Sequence, residues 1–111
     1  MSSEVKPRLL DGVRPCAIAD ALEIVGDRWS LLVLREIGLG VRRFNDIQRH
    51  TGAPRDRLSD RLRKLETEGI IERRAYSEHP ARYEYVLTEP GRALTSVLTA
   101  LRKWGERYAR R

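Results

Sequence analysis

At 111 residues, 41% hydrophobic and 34% charged, the chain has apolar content for one folded domain and a heavily ionised surface. Twenty-two lysines and arginines against sixteen aspartates and glutamates leave a net charge of +6, which favours anionic partners, nucleic acid first among them. One cysteine, Cys16, excludes an internal disulfide and a cysteine-based zinc framework within the chain. No apolar run approaches the roughly 20 residues that cross a bilayer, and the N-terminal MSSEVKPRLLDG lacks a signal peptide's apolar stretch, so a cytoplasmic protein is expected.

Residues 1–15, with Pro7, Gly12, Pro15 and mixed charges, read as a flexible N-terminal arm, and 16–111 as one domain. Ile18, Leu22 and Val25 recur at steps of four and three on one face of a first helix closed by Gly26. Trp29, Leu31, Leu32, Val33, Leu34 and Ile37 leave almost no polar face, which predicts a central second helix ending at Gly38 and Gly40. After an extended link at Val41 to Arg43, Phe44 and Ile47 begin a brief helix that Thr51, Gly52, Ala53 and Pro54 interrupt. Pro54 suits the first position of the next helix, where Leu58, Leu62 and Leu65 mark the buried stripe up to Gly69. Short helix, tight turn and second helix make a helix-turn-helix. Two runs of period-two character, Ile70 to Tyr76 and Arg82 to Leu87, predict a hairpin with residues 77–81 as its loop. Thr88 can cap a last helix whose Leu94, Val97, Leu101, Trp104 and Tyr108 alternate in steps of three and four, the seam of a helix that meets another helix.

A helical core, a helix-turn-helix and then a hairpin give a mainly α fold with a small β-hairpin wing, the winged helix-turn-helix. Its second motif helix enters the DNA major groove and its wing follows the flanking backbone. Within PRDRLSDRLRK, residues 54–64, the leucines share one face, leaving Arg55, Arg57, Ser59 and Asp60 to read bases and Arg63 and Lys64 to meet phosphates. Solvated charge, with Asp60 and Lys64 paired along the helix, is the competing account of each side chain. Arg61, nearer the leucine stripe, is expected to lay its stem on the core. In the wing, His79 and Arg82 flank Pro80 at the tip, where a cation approaches phosphate or the minor groove, and strand alternation lets only one of Arg73 and Arg74 face DNA. A basic membrane-surface helix is disfavoured, because the arginines spread over several short elements. His50 and His79 stand far apart with no cysteine cluster, and no nucleophile–base pair, phosphate-binding glycine loop or carboxylate cluster is seen. Neither an enzyme nor a metal or other cofactor is expected.

Trp104 and Tyr108 are too large for so small a domain to hide without a partner, so a homodimer is expected, its recognition helices roughly 34 Å apart over an inverted repeat. Packing of these residues on the second helix of the same chain is the other possibility.

The chain also resembles the HxlR-type bacterial transcriptional regulators. The resemblance rests on Cys16 before the first helix, Gly26-Asp27-Arg28-Trp29-Ser30 followed by LLVLREI, and Arg43-Phe44-Asn45-Asp46-Ile47. It continues through LSDRLRKLETEGIIERR and Tyr83-Glu84-Tyr85 into Leu87-Thr88-Glu89-Pro90-Gly91. Pro54 departs from it, standing where the family often has a capping serine or threonine. The resemblance implies a dimer built from the first and last helices, Ile18 and Leu22 meeting Leu94, Val97, Leu101, Trp104 and Tyr108, and a repressor or activator of nearby genes. Some members use a cysteine at the position of Cys16 to sense oxidants, quinones or aldehydes. A thiol near a helix N-terminus with Arg14 close by suits that chemistry, and a buried, inert thiol is the alternative. Two further functions compete: regulation by a small apolar ligand bound between the dimer halves and walled by Trp29, Trp104 and Tyr108, and a protein-interaction module on the same fold.

Overall fold

The computed structural model describes residues 14–110, so the arm expected over 1–15 lies, apart from Arg14 and Pro15, outside the described residues. Helices α1 (Ala17–Val25), α2 (Ser30–Gly38), α3 (Phe44–Thr51) and α4 (Arg55–Thr67) lead into an antiparallel hairpin, β1 (Ile71–Glu78) and β2 (Ala81–Leu87). Helices α5 (Glu89–Ala93) and α6 (Thr95–Trp104) follow, and a π-helical turn at Gly105–Ala109 closes the chain. The predicted winged helix-turn-helix is the observed fold.

The core forms where the leucine stripe of α4, Leu58, Leu62 and Leu65, meets Val33, Leu34 and Ile37 of α2, Ile47 of α3, and Ile70 and Ile71 at the wing base. A single helix lies central to all of these, as the apolar run of α2 predicts. Yet α2 also buries two polar groups that its apolar appearance concealed, Ser30 and Glu36. Such groups stay inside only when bonded. The Glu36 carboxylate takes Arg35 Nε at 2.7 Å and His50 Nδ1 at 2.9 Å, and its backbone carbonyl accepts from the Val41 N–H at 2.9 Å. This one residue therefore ties α2 to α3 and to the link between them.

The second buried polar group leads to Asp27, in the turn between α1 and α2. Its carboxylate accepts from the backbone N–H groups of Trp29 and Ser30, both at 3.0 Å, and from the Ser30 hydroxyl, satisfying amides that the start of α2 would leave without partners. Arg61 of α4 reaches the same carboxylate, Nη1 to Oδ1 3.4 Å. Burial works to raise the Asp27 pKa, but the Ser30 hydroxyl, the Trp29 and Ser30 amides and the Arg61 charge outweigh it, and the carboxyl lies below its ordinary value of 3.8.

Between α3 and α4 the chain reverses at Gly52, in the left-handed region with φ 75°, which a residue bearing Cβ adopts only under strain. Pro54 stands one residue earlier than expected, at the cap rather than inside α4, and its carbonyl accepts the Leu58 N–H at 2.9 Å. The wing is tighter than its sequence suggests. The strands run to Glu78 and from Ala81, leaving His79 and Pro80 as the turn, and Tyr76 is the extra residue of a bulge between Ala75 and Ser77. The link joins this sheet, since the Tyr85 N–H donates to the Arg42 carbonyl at 2.8 Å.

Thr88 caps as expected, its hydroxyl oxygen accepting from the Gly91 N–H at 3.4 Å while the hydroxyl lies 2.6 Å and 2.9 Å from the carbonyls of Gly69 and Ile70. The single last helix is not observed. It breaks at Leu94, whose N–H reaches back three residues to Gly91, and beyond Trp104 it widens into the π-helical turn.

Asp27→Ala should lower stability by about 0.5–2 kcal/mol in a chemical denaturation curve, through loss of the acceptors for α2. The native carboxyl is the more acidic, so its contribution is complete above the ordinary value of 3.8 and vanishes as pH falls below that through the lowered value. The gap between wild type and Asp27→Ala should close over that acid range.

Candidate nucleic-acid interface

Helix α4 turns its leucines inward, and what remains on its surface divides into two flanks. On the flank toward α1, Arg61 is held by Asp27, and Lys64 Nζ donates to the Glu23 carbonyl at 2.6 Å. Lys64 therefore leaves the phosphate-facing set expected from sequence, because the C-terminal end of α1 lies within reach of its amine and carries open carbonyls. Arg61 is anchored as its nearness to the leucine stripe suggests.

The rest of the surface of α4 carries the other candidates. Arg63 pairs with Asp60, Nη1 to Oδ1 3.1 Å, at spacing i,i+3 instead of the Asp60–Lys64 pairing weighed from sequence. Ser59 is half-buried. Arg55 donates to Asn45 Oδ1 at 3.1 Å, and its guanidinium stands 4.8 Å from the centre of the Phe44 ring, so the first turn of α3 holds the first residue of α4 in position. The Arg57 guanidinium has no partner among the described residues.

Two more arginines are seated on the tyrosines of the wing. Arg43, at the start of α3, lies 4.0 Å from the ring centre of Tyr76, the bulge residue, and Arg73 of β1 lies 4.4 Å from that of Tyr83. Arg73 and Arg74 occupy opposite faces of the strand, as alternation requires, and Arg74 is paired with Glu72 at 3.0 Å. At the wing tip His79 and Arg82 are both exposed. Sequence reasoning gave no role to Arg43, Phe44 or Asn45. The signal was an arginine beside an aromatic residue, but which ring each guanidinium meets depends on the hairpin register and its bulge.

A common property emerges from these pairings. Arg43, Arg55, Arg57 and Arg73 ion-pair with no carboxylate among the described residues, whereas Arg35, Arg49, Arg61, Arg63, Arg74 and Arg102 all do. Neutral rings and amides orient guanidiniums while leaving their charge uncompensated.

Away from α4, the ends of the chain expose apolar side chains. Helix α1 buries only Val25 and leaves Ile18 72% and Leu22 56% exposed, and α6 buries no residue. Val97, Leu101, Trp104 and Tyr108 are all exposed, the last two in a tilted ring contact at 5.5 Å between centres. Leu94 departs from the expected seam, because the break at that residue turns it onto the core of its own chain. Trp29 packs against the core of its own chain, while Trp104 and Tyr108 stand in the open. Cys16 precedes α1 as its cap, exposed, with Sγ accepting from the Ala19 N–H at 3.2 Å, which sets aside the buried thiol. No helix among the described residues is long and apolar enough to cross a membrane.

Comparison with known proteins agrees with this geometry. Residues 24–111 match the HxlR-like helix-turn-helix family. An HTH-type transcriptional regulator of Mycobacterium bovis is 49% identical over 92 residues, covering 83% of this chain and 58% of that protein, so the chain spans a little over half the length of this relative. Among solved structures, reduced HypR, described as a redox regulator, is 32% identical with a TM-score of 0.71, covering 82% of this chain and 91% of that one. The reduced transcriptional regulator YodB of Bacillus subtilis is 28% identical with a TM-score of 0.70, covering 86% and 96%. With its fold, its motif order and its relatives in accord, this chain belongs to the HxlR-like helix-turn-helix family of transcriptional regulators.

Proposed function

We propose that this chain binds double-stranded DNA as a homodimer and thereby regulates transcription, with α4 in the major groove and the wing on the flanking backbone. The observation that carries the proposal is that Arg43, Arg55, Arg57 and Arg73, gathered on the start of α3, on α4 and on the wing, have no carboxylate partner among the described residues, a property that Arg28, Arg42, Arg92 and Arg107 share elsewhere. Phosphates supply the negative charge that the protein itself withholds, and Arg43, Arg55 and Arg73 are already oriented by a ring or an amide, so little of their side-chain freedom is lost on binding. Arg57, with Arg55, Ser59 and Asp60, reads base edges from the N-terminal half of α4. Arg43 and Arg73 hold the backbone beside it, joined by Arg63 and by His79 and Arg82 of the tip. A two-fold axis between the exposed faces of α1 and α6 buries Ile18, Leu22, Val97, Leu101, Trp104 and Tyr108 and presents two copies of α4 to an inverted repeat. Residues 16–111 thus form one DNA-binding unit whose last helices serve dimerisation.

Oxidant or electrophile sensing at Cys16 is a second reading, favoured by its exposed sulfur at a helix start and by similarity to a redox regulator.

Alanine at Arg55 or Arg57 should weaken binding to a specific operator by about 1–3 kcal/mol and relax base preference, whereas alanine at Arg43 or Arg73 should weaken all duplexes alike and reduce the slope of log affinity against log salt by about 1. Gel shifts across a salt series separate the two patterns, and variants that match wild type in both would remove the proposed face. Sedimentation equilibrium should find wild type dimeric and Leu101→Asp monomeric, since the charge would have to be buried in the interface. Diamide should change DNA binding by wild type and leave Cys16→Ser, which binds DNA in reducing buffer, unaffected; an equal response in both excludes Cys16 as the sensor.

A further inference from the structure

Two concavities on the side of the fold formed by α2, α6 and the root of the wing have no role in DNA contact. The first, about 610 Å³, lies between α2 and α6 and is lined mainly by apolar side chains, among them Leu31, Leu34, Leu98 and Leu101, the last a residue of the proposed dimer face. The second, about 480 Å³, is ringed by Arg42 of the link, Arg74 of β1 and Arg92 of α5, with no acidic residue in its wall. Gly38, Leu87 and Thr95 line both, so the two lie side by side with these residues as their common wall.

The charges differ sharply between the two ends. At the apolar end the two arginines on the rim are matched, Arg35 by Glu36 and Arg102 by Glu106. At the other end Arg42 has no partner among the described residues, and Arg92 spends one N–H on the Leu87 carbonyl at 3.0 Å. Arg74 pairs with Glu72, the one carboxylate bonded to the three. Glu84 stands directly across the hairpin from Arg74 and lines a neighbouring concavity with Arg42, so the three guanidiniums face two carboxylates, Glu72 and Glu84, and one positive charge is left over beside an apolar chamber. A wholly apolar ligand fills the chamber but leaves that excess unanswered, and a small inorganic anion does the reverse.

We propose that these adjoining concavities act together as one binding site for a small molecule with an apolar body and an anionic head, the body between α2 and α6 and the head, a carboxylate or a group of similar charge, among Arg42, Arg74 and Arg92. Planar guanidiniums from three separate elements suit such a head, which can take paired N–H donors from more than one of them. The apolar walls bury the body, and the few polar groups fix its direction. Arg42 adjoins Arg43 and shares its segment of chain with the wing contact at Tyr85, so an occupied site bears directly on the root of the wing.

Titration of the free protein, without DNA, keeps this inference separate from the operator reading. The probes are octanoate, 1-octanol and propionate, followed by calorimetry, with 1-anilinonaphthalene-8-sulfonate followed by fluorescence as a bulkier anion. Octanoate should saturate at one molecule per chain, with 1-octanol and propionate each about tenfold weaker or more, the value of a charge-assisted hydrogen bond or of the lost apolar burial. The exposed double variant Arg42→Ala/Arg92→Ala, its folding checked by circular dichroism, should lose about tenfold in octanoate affinity and none in 1-octanol affinity. The proposal is overturned by any of three results: equal affinity for octanoate and 1-octanol, unaltered octanoate binding in the double variant, or no saturable binding of either anionic probe.

Discussion

The arrangement of this molecule depends on the carboxylate of Asp27. That group supplies the acceptors for the start of α2, the helix around which the core is assembled, and it grips Arg61 on the flank of α4. One short side chain thereby sets the position of the central helix and the roll of the helix proposed to read DNA. The leucine stripe alone would leave that roll loosely defined, because apolar contacts are not directional. With Arg61 on Asp27 and Lys64 on the Glu23 carbonyl, one flank of α4 is pinned to the α1–α2 junction and its remaining surface faces outward in a fixed orientation.

The fold was legible because its signals are local and repetitive. Leu58, Leu62 and Leu65 announce a helix with one buried side, Gly52 and Pro54 announce a reversal, and the alternation around Tyr83 and Tyr85 announces a strand. What could not be read were effects that join distant segments. The burial of Glu36 depends on His50 arriving from α3, and the diversion of Lys64 depends on where α1 ends. Likewise the seating of Arg43 on Tyr76 depends on a bulge that no periodicity reveals, since an inserted residue shifts every later side chain by one place. The last helix was misjudged for a related reason. Its apolar spacing runs unbroken through Leu94, and nothing in that spacing shows that the helical hydrogen bonding breaks there as the residue packs on the core.

The division of labour among the arginines follows from the same contrast. Those opposite a nearby acid are absorbed into the scaffold, as Arg35, Arg61 and Arg102 are, and sequence spacing alone identifies some of them. Those near rings or near nothing keep their full charge. A net charge of +6 is therefore a poor guide to where an anion would bind, and the pairing of each cation a better one. By that measure the described residues place unpaired cations around α4 and the wing and again at the wing root.

The base of the wing is closed like a buckle. The Thr88 hydroxyl bonds the carbonyls of Gly69 and Ile70, and Gly91 fits so closely beneath the Ile70 carbonyl that a Cβ there would come within 2.3 Å of it. Both strands are thus clamped at one end, so a tilt of the hairpin would be felt most at its free tip. An eight-residue strand reaches about 23 Å at roughly 3.3 Å per residue, so a tilt of about 5° at the buckle carries His79 and Pro80 through about 2 Å. That is enough to make or break a hydrogen bond with a phosphate, which gives the wing the character of a lever driven from its root.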